Sequence, residues 1–139
     1  MADFDRAVKF VIQHEGGYVN NPSDPGGETK YGICKRAYPK LDIKNLTEQD
    51  AIDIYKKDYW IPCGAESLDD SLALVHFDTA VNMGLSRAET FLQASGQNAL
   101  DYLLKRIGYY VALTRKNGKL KTFLNGWVNR VMDCYNEIS

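Results

Sequence analysis

The feature that most constrains the fold is a predicted helix that ends at a polar, glycine-rich segment. Near the N-terminus, apolar side chains recur at three- and four-residue spacing, at Phe4, Ala7, Val8, Val11 and Ile12. This spacing predicts an amphipathic helix, with Asp3 as its N-cap and Gly16 and Gly17 as its end. Glu15 follows Ile12 by three positions, so its carboxyl group is expected on the buried side of the last turn.

Residues 14–32, HEGGYVNNPSDPGGETKYG, carry this helix end into a polar loop. Val19 is the only aliphatic side chain between Tyr18 and Tyr31, so the loop adds little to a core and its side chains are available to a polar ligand. Partial burial of a carboxyl group beside such a loop favours the protonated form, which suits general-acid chemistry. The alternative is that Glu15 is only a polar residue at a Gly-terminated helix end.

Further helices are predicted along the rest of the chain. Thr47 is expected to cap a helix that ends before Pro62. Asp69 or Asp70 begins a strongly apolar segment that Gly84 closes, and we expect this to be the central buried helix.

The C-terminal third predicts further helices joined by short turns. Ser86 and Glu89 form a capping-box pattern for a short helix, and Asn98 is expected to cap a long one that ends at Asn117. A last helix follows, and no linker, repeat or low-complexity tract interrupts the order. The sequence therefore predicts a mainly α domain of about six helices. A small β-hairpin within residues 18–33 stays open, since alternation there is poor.

Composition fits a compact single domain without identifying it. At 139 residues and 45% hydrophobic content, the chain is long enough to bury a core. The net charge is −1, yet residues 103–131 hold no acidic side chain and seven basic ones. Such a patch could face an anionic polymer such as the cell wall or nucleic acid, but a solvated helical face is the favoured explanation.

Cysteine and histidine usage argues against a disulfide framework or a zinc site. Three cysteines, Cys34, Cys63 and Cys134, leave at least one unpaired, and no Cys-x-x-Cys pair is present. We therefore expect no metal and no cofactor. The N-terminus lacks a signal-peptide pattern and no segment approaches eighteen apolar residues, so we expect cytoplasmic synthesis without stable membrane insertion.

Three strings carry a resemblance to a known family: EGGYVNNPSDPGGETKYGI, LTEQDAIDIYKKDYW and FDTAVNMG. Over residues 3–85 they resemble the N-acetylmuramidases of glycoside hydrolase family 108, found among phage endolysins and secretion-linked bacterial muramidases. The later string FLNGWVNR resembles the peptidoglycan-binding region that usually follows. The resemblance implies a lysozyme-like single domain over residues 1–139, with 1–85 as its catalytic part and 86–139 as a helical part resembling that binding region.

The same resemblance implies hydrolysis of the β-1,4 bond between N-acetylmuramic acid and N-acetylglucosamine, with Glu15 as the catalytic acid. Phage-type lysozymes place an Asp after eight intervening residues and a Thr after five more. Here Asp24 agrees, and Thr29 falls one position short. Asp24 would act as base or electrostatic stabiliser and Thr29 would hold water. Asp24 also fits a plain Ser-Asp-Pro-Gly-Gly turn, and Glu28 is a rival second carboxylate.

Substrate contacts are expected from aromatic and polar side chains near Glu15. Tyr18, Tyr31 and Trp60 are the aromatic residues expected nearest the cleft, because aromatic faces stack on sugar rings. Asn82 lies four positions after Asp78 on the predicted central helix. This pair either completes the cleft or satisfies the backbone of the loop above, and the second interpretation is slightly favoured.

Two other function classes stay open. A lytic transglycosylase would keep the acid and need no water-activating carboxylate, whereas a non-catalytic wall-binding adaptor would not need Glu15. For the muramidase and for both alternatives, the expected partner is the glycan strand of peptidoglycan rather than nucleic acid. Without an export signal of its own, the protein would act on the wall after release, delivered by a holin or another route.

Overall fold

The structure is a computed structural model that describes residues 2–23 and 26–139. Six α-helices account for most of it: α1 Phe4–Glu15, α2 Glu48–Tyr55, α3 Asp70–Met83, α4 Leu85–Ala94, α5 Ala99–Lys116 and α6 Lys121–Ile138. A π-helical turn, Lys56–Trp60, extends α2, and short 3-10 turns cover Ala65–Ser67 and Gly118–Leu120. The mainly α fold predicted from the sequence is confirmed.

A three-stranded antiparallel sheet lies directly after α1. Its strands are β1 Val19–Asn20, β2 Glu28–Lys30 and β3 Ile33–Cys34, in the order β1-β2-β3. Thr29 pairs with Val19 on one side and with Cys34 on the other. The sheet is thus one strand larger than the hairpin considered from the sequence, and its strands are too short to show alternation.

Two residues, Tyr31 and Gly32, connect β2 to β3. Both have positive φ, 53° and 81°. Two-residue hairpin loops favour this geometry because it matches the twist of the flanking strands, and glycine adopts it without steric cost. The turn brings the tip of the β2–β3 hairpin back against the end of α1.

Most helix ends follow the capping chemistry of the sequence. Asp3, Thr47, Asp69 and Asn98 each accept a hydrogen bond from a backbone N–H in the first turn of their helix. The capping box predicted at Ser86 and Glu89 is wrong. Gly84, with φ 95°, ends α3 and begins α4 at once, so Ser86 already lies inside the first turn.

Helix α3 forms the centre of the molecule, as its apolar sequence predicts. All nine residues from Leu72 to Ala80 are buried. Helices α1, α4, α5 and α6 all contact α3, so the C-terminal third packs on the same core as the N-terminal part. Among the residues that the structure describes, no helix combines the length and apolarity needed to cross a bilayer.

Candidate active site

A polar cleft lies where the end of α1 meets the β2–β3 turn, α2 and the end of α3. Its volume is about 220 Å³. The lining residues are Glu15, Gly32, Ile33, Cys34, Ala37, Tyr38, Tyr55, Tyr59, Val81 and Asn82. A larger groove of about 310 Å³ between α5 and α6 is lined by apolar side chains and Tyr135, and it holds no acid for bond cleavage. Of these two, only the Glu15 cleft has a carboxylic acid among its described lining residues.

Glu15 occupies the last position of α1, where Gly16 ends the helix with φ 79°. Its side chain is 25% exposed, so the carboxyl group is sheltered yet open to the cleft. Gly32 lies against it: a Cβ at position 32 would come within 2.8 Å of Glu15 Cβ and 2.3 Å of Tyr55 Oη. Only glycine lets the β2–β3 turn approach the acid this closely.

Arg130, on α6, contacts Glu15 across 115 positions of sequence. Its Nη1 donates to Glu15 Oε1 at 2.9 Å, and its side chain is 11% exposed. The guanidinium group therefore gives Glu15 an ion-pair partner from the C-terminal helix. Sequence reasoning missed this residue because it counted Arg130 only as one member of a basic stretch.

Behind Arg130 lies a buried ion cluster built on Asp78. Asp78 accepts from Arg130 Nη2 and from Arg106 Nη1, both at 2.8 Å, and the Asp78 and Arg106 side chains are fully buried. Burial opposes ionisation, but the two guanidinium groups outweigh it and hold the pKa of Asp78 below its usual value. The basic stretch is thus not one solvated face, because Arg106 and Arg130 point into the protein.

Asn82 lines the cleft and is held by the same cluster. Its Oδ1 accepts from Tyr110 Oη at 2.5 Å and faces Arg106 Nη2 at 3.5 Å. The favoured interpretation, that Asp78 and Asn82 satisfy the backbone of a loop, is wrong. Their side chains hold arginine and tyrosine side chains of α5 and α6 instead.

Three tyrosines form the wall of the cleft near α2. Tyr38 donates to Asp58 Oδ2 and Tyr55 donates to the Tyr31 carbonyl, both at 2.6 Å. Burial raises the pKa of Tyr38, Tyr55 and Tyr59, so all three hydroxyls stay protonated at neutral pH. They offer neutral hydrogen-bonding groups to a ligand rich in hydroxyls or amides. The sequence analysis did not single them out, although the string DIYKKDYW contains two of them.

The predicted aromatic contacts divide into three cases. Tyr18 is 39% exposed ahead of β1, and Tyr31 is half-buried in the turn beside Gly32. The prediction that Trp60 contacts the substrate is wrong. The π-helical turn directs its ring into the core against Phe4 and Phe77, at centroid distances of 5.2 and 5.3 Å, and leaves it fully buried.

The residues predicted to act together with Glu15 are not found beside it among the described lining residues of the cleft. Asp24 lies outside the described residues. Thr29 is half-buried in the middle of β2, next to Cys34 of the cleft wall, and does not itself line the cleft. Glu28 Oε2 accepts from the Tyr18 hydroxyl at 2.7 Å. Within residues 2–23 and 26–139, no three His, Cys, Asp or Glu side chains are grouped to hold a metal ion, and all three cysteines are free.

Comparison with known proteins shows the family to which the chain that forms this cleft belongs. The chain is similar to the solved structure of Brucella abortus SagA, with 27% identity, a TM-score of 0.78, and coverage of 97% of this chain and 92% of that one. A search of curated proteins found no match. Residues 8–84, more than half of the chain and including Glu15, match the family Glycosyl hydrolase 108. The protein therefore belongs to the glycosyl hydrolase 108 family and is a glycoside hydrolase with a lysozyme-like, mainly α fold.

Proposed function

We propose that the protein is a peptidoglycan hydrolase of the N-acetylmuramidase type. It would cleave the β-1,4 bond between N-acetylmuramic acid and N-acetylglucosamine, with Glu15 as general acid. One observation carries the proposal: among the described residues that line the polar cleft, Glu15 is the only carboxylic acid, in a chain whose family is defined by glycosidic bond cleavage. Peptidoglycan as substrate follows from the sequence resemblance.

The two oxygens of Glu15 have different surroundings. Oε1 accepts from Arg130, whereas Oε2 makes no hydrogen bond to any residue in the described parts of the chain. Oε2 is therefore the oxygen that would carry the proton to the leaving glycosidic oxygen. Once the proton is transferred, the carboxylate formed lies beside the Arg130 cation, which stabilises it. The tyrosine wall and Asn82 would hydrogen-bond the hydroxyl and acetamido groups of the sugars.

A hydrolase also needs a group that activates water or stabilises the positive charge of the oxocarbenium-like transition state. We propose Asp24, which falls between the residues of β1 and those of β2 in the sequence, for this role, and Thr29 would hold the water. Glu28 is the weaker candidate, because its Oε2 already accepts a hydrogen bond from Tyr18.

A lytic transglycosylase is the second candidate. The observation that favours it is the same one: the described lining of the cleft contains one acid and no second carboxylate. In such an enzyme the 6-hydroxyl of the muramic acid attacks its own C1 as the glycosidic bond breaks; the acid protonates the leaving oxygen and then takes the hydroxyl proton, so no activated water is needed. Its products end in 1,6-anhydro sugars rather than reducing sugars.

Mass spectrometry of purified peptidoglycan digested with the protein separates these functions. Reducing N-acetylmuramic acid ends support the muramidase, anhydro ends support the transglycosylase, and an absence of soluble fragments indicates a binding protein. Glu15→Gln is expected to lower the rate by about 100-fold or more, since it keeps the shape of the side chain and removes the proton donor. Full lysis by this variant would overturn the assignment of Glu15.

Glu28→Gln serves as the matched control, because it makes the same substitution in the neighbouring hairpin. We expect it to retain most of the activity, whereas Asp24→Asn should lose it. The reverse result would exchange the roles of the two carboxylates.

An endolysin role completes the proposal. In that role the protein is held in the cytoplasm and reaches the wall through a holin or another export route. Expression inside a bacterial host tests this: lysis is expected only when a pore-forming partner is produced together with the protein. Lysis by the protein alone would refute the need for a separate delivery route.

A further inference from the structure

The hydrogen bonds of Arg130 are divided between two carboxylates. Nε and Nη2 donate to Asp78 Oδ1 at 3.1 and 2.8 Å, and Nη1 donates to Glu15 Oε1 at 2.9 Å. Because the guanidinium group is planar and rigid, fixing one edge on Asp78 also fixes where Nη1 points. Glu15 therefore meets a donor whose direction is set by Asp78.

Asp78 is itself held from the opposite side. Its Oδ2 accepts from Arg106 Nη1 at 2.8 Å, and Arg106 also donates to Thr79 Oγ1 at 3.1 Å and to Tyr110 Oη at 3.2 Å. The Cys134 thiol donates to the same Asp78 oxygen at 3.4 Å. Neither Asp78 nor Arg106 has exposed side-chain surface, so neither can move without breaking bonds in the core.

Stability alone is a poor explanation for such a cluster. Removing charged groups from water costs several kcal/mol per ion, and well-packed apolar residues often replace a buried ion pair without loss. The cluster is sealed at Arg106 and reaches the cleft at Asn82 and at Glu15, whose side chain is 25% exposed. The proposed proton donor thus lies at its accessible end.

We infer that Asp78 and Arg106 are positioning residues that fix Arg130, and through it the Glu15 carboxyl group, so that Oε2 faces the substrate. The inference rests on the proposed role of Glu15. It also extends the active centre beyond residues 8–84, because Arg106 on α5 and Arg130 on α6 lie outside the segment that matches the family. The C-terminal helices are then part of the catalytic machinery, whatever else they bind.

Steady-state kinetics on soluble peptidoglycan fragments tests the inference at position 130. Arg130→Gln removes both the charge and the planar guanidinium group with its several N–H donors. Arg130→Lys keeps the charge but cannot bridge Asp78 and Glu15 in the same way. We expect both variants to lower kcat by about 10- to 100-fold, with KM changed less than about twofold, because misplacing a catalytic group affects the chemical step. If Arg130→Lys keeps most of the wild-type kcat, charge alone suffices and the inference is overturned.

A double-mutant cycle tests Asp78. If Asp78 acts through Arg130, Asp78→Asn lowers kcat and adds little to Arg130→Gln, whereas independent effects multiply. Multiplying effects, or an unchanged kcat in Asp78→Asn, would contradict the inference. Each variant is assayed well below its own unfolding temperature, with Lys121→Gln on the exposed surface of α6 as the matched charge control. Should Asp78→Asn fail to fold, the pair at position 130 decides.

The outcome is separable from the proposed function. If Glu15→Gln stays active, the role of Glu15 fails whatever the other variants do. If Glu15→Gln is inactive while Arg130→Lys and Asp78→Asn have wild-type kcat, the proposed function stands and only the positioning inference fails.

Discussion

The two sides of the cleft differ in how deeply their side chains are buried and in the charges that they carry. On one side, strands β1 and β2 have half-buried or exposed side chains, and the Tyr18–Glu28 hydrogen bond lies at the surface. On the other side, Asp78 and Arg106 are fully buried between helices. Glu15 lies between the two, contacting Gly32 of the hairpin and Arg130 of the helices. Substitutions should therefore cost little on the hairpin side, except where it contacts the acid, and much on the helical side.

The largest effect is expected from Arg106→Met. This change leaves the Asp78 carboxylate with one arginine and removes hydrogen bonds to Tyr110 and Thr79. Breaking a buried pair by removing one partner costs about 3–5 kcal/mol of unfolding free energy. Urea denaturation followed by circular dichroism measures it.

Lys105→Met is the matched control, since Lys105 is the neighbouring residue on α5 and pairs with Asp101 at the surface. Exposed pairs contribute about 0–1 kcal/mol, so this variant should unfold close to the wild type. Equal losses in the two variants would mean that the buried cluster has no special weight.

The next largest effect is expected where the hairpin contacts the acid. In Gly32→Ala the new methyl group would overlap Tyr55 Oη and Glu15 at 2.3 and 2.8 Å, and the backbone there has φ 81°. Overpacking of this kind costs about 1–3 kcal/mol, and relieving it would push the turn away from Glu15. We therefore expect lower stability and a lower rate of peptidoglycan cleavage.

Gly27→Ala separates backbone strain from overlap. Gly27 has a similar φ of 70°, but its nearest contact for a Cβ is Lys35 Cβ at 3.9 Å. Its cost should be limited to the left-handed backbone, about 1–2 kcal/mol, with activity retained. If both variants lose activity alike, the close approach of the turn to Glu15 is unimportant.

The same contrast explains which parts of the molecule the sequence could predict. Helix α1, its Asp3 cap and the position of Glu15 depend on spacing within a few residues, and so does the buried α3 that Gly84 ends. Local patterns of this kind report local structure directly. The hairpin side was harder, because strands of two or three residues carry almost no periodicity.

The helical side of the site was hidden from the sequence for a different reason. Arg130 and Glu15 are 115 positions apart, and nothing in either local pattern links them. A run of basic residues suggests a surface, and only the packing of α5 and α6 against α3 reveals that Arg106 and Arg130 face Asp78. The opposite error was made for Trp60. This aromatic residue was expected to contact sugar, but its ring is buried in the hydrophobic core.

A smaller effect should distinguish two hydroxyl groups. Tyr55→Phe removes a donor to the Tyr31 carbonyl from a side chain that is 1% exposed, and we expect a loss of about 1–2 kcal/mol in unfolding free energy. Tyr18→Phe removes a donor to Glu28 at the surface, where water replaces it, so no measurable change in the urea midpoint is expected. A comparable loss in both variants would remove the distinction between the two sides of the cleft.

The smallest effect concerns pH and a second buried polar group on α3. Burial lowers the pKa of His76 from its model-peptide value of 6.5, although the Cys63 carbonyl opposes this. The unfolded chain then binds the proton more readily than the folded one, so stability is full above about pH 6.5 and falls as pH is lowered through that value. Urea midpoints between about pH 7 and pH 5 should show this fall in the wild type and in His14→Gln, which keeps His76. In His76→Gln the curve should be flatter over the same window, and an unchanged slope would show that another group causes the fall.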